Sequence, residues 1–392
     1  MFDRLPAPRQ DPILKVMQMF REDPRDTKVD LGVGVYKDDT GNTPVMRAVK
    51  RAERKLVESQ TTKTYTALVG DPAFHRGMTD LLLAGTVLAE RIAAAAATGG
   101  TGAVRLGMEL IRAANPDARV FISTPTWPSH NTLAEKAGLT VAPYRYYDAE
   151  TGGIDRKGMW EDLDAARPGD VVLLHGCCHN PTGADLTPDD WRGMASFLTE
   201  RGVLPFIDTA YQGFGAGLAE DAAGLRHIAA TQPRMILAAS GAKNFGLYRE
   251  RAGITLVICP EDERATVSGT LGALNRASIS FPPDHGARII STILSDPALR
   301  ADWEAELTDM RDRVNGLRRA LADALRDACG SDRFGFLTEQ KGMFSVLGGT
   351  EQQIARLRDE FGVYVVGGGR LNMAGLTLAS VPRVAKAIAR VL

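Results

Sequence analysis

The sequence has little cysteine: four residues in 392, at Cys177, Cys178, Cys259 and Cys329. Two are adjacent and none forms a spaced framework, which speaks against a disulfide-stapled secreted fold and for a reducing, cytoplasmic setting. It also has little net charge, −1 from 47 basic and 48 acidic side chains. A polyanionic partner such as nucleic acid is therefore disfavoured. Basic pairs such as Lys50-Arg51 and Arg54-Lys55 recur at helical spacing with acids nearby and read as solvated helix faces. No run approaches the roughly 18 apolar residues of a membrane span. The stretch Met1–Pro6 lacks the apolar core of a signal peptide. There is no internal repeat and no long low-complexity tract. What is present is an ordinary globular balance, 44% hydrophobic and 24% charged, over a length that suits two unequal lobes.

The middle of the chain alternates short apolar runs with amphipathic stretches. Strands are expected at Arg119–Ile122, Val141–Tyr144, Val171–Leu174, Val203–Ile207, Met235–Ala239 and Ile254–Ile258, each apolar enough to be buried on both faces of a mostly parallel sheet. Helical patterns lie between them, such as Pro188–Arg201 after the capping residue Thr187. The Ala93–Ala97 run reads as helix. Alternating elements imply an α/β fold with a mostly parallel central sheet. From about Leu299 a long charged helix pattern runs to Cys329, followed by strand-like pieces at Phe334–Leu337, Met343–Leu347 and Val363–Val366 and a helix over Val381–Val391. This tail reads as a smaller α+β domain, joined by the N-terminal segment with strand-like Val29–Val35. The expected organisation is an arm over residues 1–11, small-domain segments at 12–43 and 309–392, and a large domain at 44–308.

Polar, chemically capable residues cluster just after the expected strands. Trp127 and His130 follow Arg119–Ile122, and His175 and Asn180 follow Val171–Leu174. Asp208 and Tyr211 follow Val203–Ile207, and Ser240 and Lys243 follow Met235–Ala239. In parallel α/β sheets the ligand crevice lies at the carboxyl ends of the strands, so these residues should converge. Gly99, Gly100 and Thr101 open an apolar helix, a start that offers backbone N–H groups to a phosphate. Arg251, shortly after Lys243, suits the same phosphate bidentately. A phosphate cradle, a lysine, a carboxylate and an aromatic plate are the parts of a pyridoxal 5'-phosphate site. Lys243 would form the imine, and Asp208 would keep the pyridine nitrogen protonated. Trp127 would stack on the ring, and Asn180 and Tyr211 would hydrogen-bond its phenolic oxygen. His175 and His179 lie in a Gly-Cys-Cys loop without a convincing ligand set, so no metal is expected.

Several long segments in order resemble the class I pyridoxal-phosphate-dependent aminotransferases, in particular their aspartate and aromatic amino acid branch. They are Gly99–Ala103, Thr124–His130, Leu173–Gly183, Ile207–Phe214 and Lys243–Arg251, and the likeness runs from about Pro12 to Leu392. The resemblance implies the fold type I architecture of pyridoxal enzymes, a large cofactor-binding domain and a smaller α+β domain. It implies catalytic Lys243, Asp208 and Tyr211, with His130 behind Asp208. Gly99, Gly100, Thr101, Ser240, Arg251 and Tyr65 would hold the phosphate end. Arg370 would clamp the substrate carboxylate with Asn180, Trp127 and the Gly34 backbone, and Arg276 would take the distal carboxylate of dicarboxylic substrates. In the family the counterparts of Tyr65 and Arg276 come from the neighbouring subunit, which implies a homodimer with shared active sites. Once freed by substrate, Lys243 would act as general base.

The chain departs from the family pattern in places. Ala242 stands where a second phosphate serine is usual, Ile279 where tyrosine is frequent, and Phe281 where aspartate-specific members carry asparagine. Val35, Lys37, Thr43 and Thr101 look like the aspartate type. The resemblance thus implies dual specificity with aromatic donors (tyrosine, phenylalanine) leading, aspartate second and 2-oxoglutarate as acceptor. An aspartate-specific aminotransferase is the alternative. A pyridoxal lyase or decarboxylase is less favoured because two arginines suit two dicarboxylate half-reactions. A non-catalytic effector domain is disfavoured by the full set of chemical groups.

Overall fold

A computed structural model describes residues 2–5 and 12–392. Most of the expected N-terminal arm lies outside those residues. The chain divides into two compact units. Pro44–Asp312 with Gln340–Gly342 form the larger, and the residues up to Thr43, Arg313–Glu339 and Met343–Leu392 form the smaller.

The larger unit is built on a seven-stranded sheet in the order Ile92–Thr98, Ala252–Ile258, Met235–Ser240, Leu204–Thr209, Val171–His175, Arg119–Thr124, Thr140–Arg145. Ala252–Ile258 is antiparallel to both neighbours, and the other pairings are parallel. Met235–Ser240 and Ala252–Ile258 are buried at every position. That burial explains why the strands read as unbroken apolar runs rather than alternating ones. The helix Pro188–Arg201 is set by its ends. Thr187 Oγ1 accepts from Asp190 N while Asp190 Oδ2 accepts from Thr187 N, and Gly202 leaves the helix at φ 64°.

The Ala93–Ala97 run is a strand and not a helix, a correction to the sequence expectation. Alanine's helix propensity amounts to a few tenths of a kcal/mol per residue, and tertiary pairing overrides it. All seven residues of Ile92–Thr98 pair with Ala252–Ile258. On the open edge Ala96 N donates to Val69 O (2.7 Å), and Asn275 Nδ2 donates to Ala96 O (3.0 Å). Small side chains also let Leu271, Ala103 and Val104 pack closely against Ala93, Ala95 and Ala97.

In the smaller unit Val29–Asp30 pairs in parallel with Val363–Tyr364, and Phe344–Val346 pairs antiparallel with Arg370–Asn372. The expected Val29–Val35 strand is thus only two residues long. Beyond it the Asn372 side-chain amide, donating to Val33 O and Val35 O, takes over the role of a ladder. Phe334–Leu337 is not a strand. Gly335–Thr338 forms a short 3₁₀ turn, with Gly335 N on Asp332 O and Leu337 N on Phe334 O. Arg318, 2% exposed, is held by Phe344 O, Ser345 Oγ and Leu337 O. Helices Glu351–Phe361 and Val381–Val391 complete the unit.

Candidate active site

The parallel strands deliver their last residues to one edge of the sheet. His175 ends its strand, Asp208 is the penultimate residue of Leu204–Thr209, and Ser240 ends Met235–Ser240. Ala252–Ile258 runs the other way, so Arg251, which precedes it, reaches the same edge. Gly99 begins the helix Gly99–Ala114 directly after Ile92–Thr98. One cavity there is lined by Gly100, Thr101, Trp127, Asn180, Asp208, Tyr211, Ser240, Lys243 and Arg251. His175, Cys177, Ala210 and Ala242 also line it.

Behind Asp208 runs a chain of hydrogen bonds. Asn180 N donates to His175 Nδ1 (3.2 Å), which obliges neutral His175 to carry its proton on Nε2. That proton faces Thr126 Oγ1 (3.2 Å). The Thr126 hydroxyl then donates to His130 Nδ1 (2.8 Å), and His130 Nε2–H donates to Asp208 Oδ2 (3.0 Å). The order follows from one fixed donor, the Asn180 amide, and from a neutral His175. Burial above all pushes His175 down to about 3, so its imidazole stays neutral. Burial also opposes charge on Asp208, but the His130 hydrogen bond and nearby positive charge outweigh it and lower its carboxyl below the usual range. The arrangement maintains Asp208 as a carboxylate anion in the lining of the cavity. Thr126 was missed by the sequence reading because nothing in its spacing separates it from an ordinary turn residue.

Lys243 is partly buried, and its Nζ lies 5.0 Å from the centroid of the Tyr211 ring. Burial lowers its pKa, with Arg251 acting in the same sense and Asp208 against. The amine is thus more available as a base or nucleophile than a solvated lysine. Gly99 adopts φ 68°, and a Cβ built there would stand 2.5 Å from Arg251 Nη2, so only glycine lets the guanidinium lie over the helix start. Gly99 N donates to Arg251 O (2.7 Å). Ser240 Oγ accepts from Ala242 N (3.1 Å), which leaves its hydroxyl proton to donate elsewhere. Guanidinium, hydroxyl and helix-start N–H groups together form an anion cradle.

Five sequence candidates lie outside this cavity's lining, one of them Gly99 at the helix start beside Arg251. Tyr65, 80% exposed, stacks on Phe281, and Arg276 lies over the same ring. Gly34 and Arg370 belong to the smaller unit. Arg370 Nη2 donates to Gly32 O (2.9 Å), its Cζ lies 4.6 Å from the Phe344 ring centroid, and a Cβ on Gly34 would meet Phe344 Cζ at 2.9 Å. Phe344, the shared neighbour of both, carried no motif signal in the sequence.

Cys177, Cys178 and Asp221 bring three potential ligand atoms within 4.8 Å of one another. Asp221, however, already accepts from the backbone of Gly213, Gly215 and Ala216. The hydrogen bond to Cys177 and burial together push the Cys178 thiol well up, away from a metal-binding thiolate. The cluster closes the 213–221 loop.

The family of class I and II aminotransferases matches residues 26–388. An aromatic-amino-acid aminotransferase of Paracoccus denitrificans is 54% identical over 392 residues, 100% of both chains. An aspartate aminotransferase of Escherichia coli strain K12 is 45% identical over 396 residues, again 100% of both. Among solved structures, an aromatic amino acid aminotransferase with 3-indolebutyric acid superposes with a TM-score of 0.97 at 54% identity, covering 100% of both chains. The aromatic-amino-acid aminotransferase of Burkholderia pseudomallei covalently bound to pyridoxal phosphate gives 0.97 at 41% identity, over 100% of this chain and 99% of that one. With a profile match over nearly its whole length and full-length relatives above 40% identity, the chain belongs to the class I and II aminotransferases.

Proposed function

We propose that this aminotransferase carries the amino group of tyrosine or phenylalanine, and of aspartate, to 2-oxoglutarate in a ping-pong cycle, with pyridoxal 5'-phosphate held on Lys243. The observation that carries the reading is a partly buried lysine of lowered pKa sharing one cavity with a carboxylate kept anionic from behind. The residues fit the cofactor. Asn180 Oδ1 is buried without a hydrogen-bond partner, so that amide has capacity for a polar group from outside the chain. The cradle of Gly99, Gly100, Thr101, Ser240 and Arg251 suits a phosphate.

When bound, pyridoxal phosphate supplies an aldehyde that takes up amino groups and a ring that stores an electron pair. Asp208 holds a proton at the ring nitrogen. Lys243 Nζ, its pKa lowered by burial, would take the proton from the substrate α-carbon as general base. Trp127, in the cavity lining, would cover one face of the ring and keep water from it. Asn180 and Tyr211 hold the phenolic oxygen, and Arg370 offers its planar fork to the substrate carboxylate, beside the Gly34 backbone. Tyr65 and Arg276 serve the site of a second copy, Tyr65 at the phosphate and Arg276 at the distal carboxylate, so the working enzyme is a homodimer. Both side chains are exposed in the single chain, in keeping with that role. The four cysteines are all free, which suits the cytoplasm. Among the described residues no helix is long and apolar enough to cross a membrane.

Half-reaction rates for each amino acid with the cofactor-loaded enzyme test the reading, followed by the change in visible absorbance. Phenylalanine and tyrosine should react at least as fast as aspartate, and Lys243→Ala should abolish turnover. A large excess of aspartate over phenylalanine would leave the aspartate-specific alternative. Ammonia or carbon dioxide released without an amino acceptor would replace transamination with lyase chemistry.

A further inference from the structure

Three side chains of the larger unit meet at one ring. The Tyr65 ring stacks on Phe281 with centroids 4.6 Å apart and planes 17° from parallel. Arg276 Cζ lies 5.6 Å from the centroid of the same Phe281 ring, and Arg276 Nη1 donates to Ser280 Oγ (2.7 Å). Ser280 sits at φ 65°, a left-handed turn that sets the course of the chain into Phe281. Among the described residues no carboxylate stands within ion-pair distance of Arg276. Its guanidinium is therefore supported by a ring and a neutral hydroxyl.

That choice of support has a chemical consequence. An acidic neighbour would neutralise Arg276 and compete with a substrate carboxylate. A ring attracts the cation through its quadrupole and accepts no conventional hydrogen bond, so most guanidinium N–H groups keep their donor capacity. The same ring supports Tyr65, a residue otherwise 80% exposed and free to change rotamer. We propose that Phe281 is a positioning residue that ties Tyr65 to Arg276, so that the phosphate end of the site and the distal-carboxylate end are held by one side chain. The inference rests on the reading of Tyr65 as a phosphate ligand and Arg276 as the distal-carboxylate ligand. It adds that the two functions are coupled.

The test uses the cofactor-loaded enzyme and two readouts. For Phe281→Leu, KM for aspartate should rise about fivefold while kcat changes little, the loss expected when one stacking or cation–π contact is removed. Retention of pyridoxal phosphate, titrated by fluorescence, should weaken in the same variant. KM for phenylalanine should move less than that for aspartate. Phe281→Tyr keeps the ring and should restore both readouts, and Phe281→Met serves if the leucine variant folds poorly. A purely structural role would lower thermal stability and scale kcat for both substrates alike, and that outcome overturns the proposal. So does a Phe281→Leu enzyme with unchanged aspartate KM and unchanged cofactor retention. Arg276→Ala separates the premise from the inference. If it leaves the ratio of aspartate to phenylalanine activity intact, the reading of Arg276 fails. If it shifts the ratio and Phe281→Leu does not, only the coupling fails.

Discussion

His130 Nε2 lies 3.0 Å from Asp208 Oδ2, and the imidazole is fully buried. The contact is the last link of a chain that begins at a backbone amide, so the carboxylate at Asp208 is supported by a buried network rather than by solvent.

His130→Leu, which removes the donor at similar volume, should raise the Asp208 carboxyl pKa. Hydrogen bonds to charged groups contribute about 1.5–3 kcal/mol, so the acid limb of the kcat/KM profile should move up by about one unit or more. The rate at neutral pH should fall by about tenfold. A pH–rate profile unchanged on the acid side would mean that Asp208 does not depend on His130.

Gly99→Ala should weaken cofactor binding, because the new methyl would stand 2.5 Å from Arg251 Nη2 in a left-handed backbone that costs about 1–2 kcal/mol for a non-glycine residue. The flexible guanidinium can retreat, so the fold should survive. Gly253→Ala should be worse for stability, since its Cβ would meet the Gly99 carbonyl oxygen at 2.3 Å, backbone against backbone. Thermal unfolding of the two apoenzymes, alongside a pyridoxal phosphate titration, checks the order.

Acidification should destabilise the protein through His175. The folded chain holds it at about 3, whereas an unfolded histidine titrates near 6.5. The unfolded state thus binds the extra proton first, and stability is lost as pH falls from about 6.5 toward 3. Between pH 7 and pH 5 the His175 contribution is about 2 kcal/mol, and His179, also held well below its usual value by burial, acts in the same direction. Urea midpoints for the parent and for His175→Gln at both pH values provide the measurement. Equal pH slopes in the two proteins would refute the assignment.

Trp303 Nε1 donates to Asn244 O (2.7 Å), and its ring stacks on Phe245 with centroids 4.3 Å apart. This pair anchors the two residues that follow Lys243. Trp303→Phe keeps a ring and loses the hydrogen bond, so it should cost about 1 kcal/mol of stability. It should also lower kcat more than it raises KM, as expected if the lysine loop loosens. An unaltered kcat would confine Trp303 to packing.

The strands that carry Asp208, His175 and Ser240 were legible because burial on both faces gives unbroken apolar runs, and their polar ends mark the sheet edge. Ala93–Ala97 was not, because alanine carries no strand preference and its pairing partner lies 158 positions on, as at Ala96 and Ile254. Gln340–Gly342 belongs with the larger unit although both flanks belong to the smaller. It is held by Gln340 Nε2 on Gly152 O and Lys341 N on Gly183 O, contacts that leave no local pattern. Phe344 and Thr126 were invisible for the same reason: each matters through what lies beside it in space.

The reversed strand Ala252–Ile258 has a bearing on how this protein can vary. Ser240 and Gly253 face each other across the ladder, and Gly241 N donates to Ala252 O (3.1 Å). The segment between them is a closed loop that leaves the sheet edge and returns to it, carrying Lys243 near one foot and Arg251 at the other. Its length is consequently fixed by the register of two fully buried strands. An inserted or deleted residue would have to be absorbed inside the site itself. Loops at the opposite edge of the sheet carry no such constraint, and changes in chain length among related sequences should collect there.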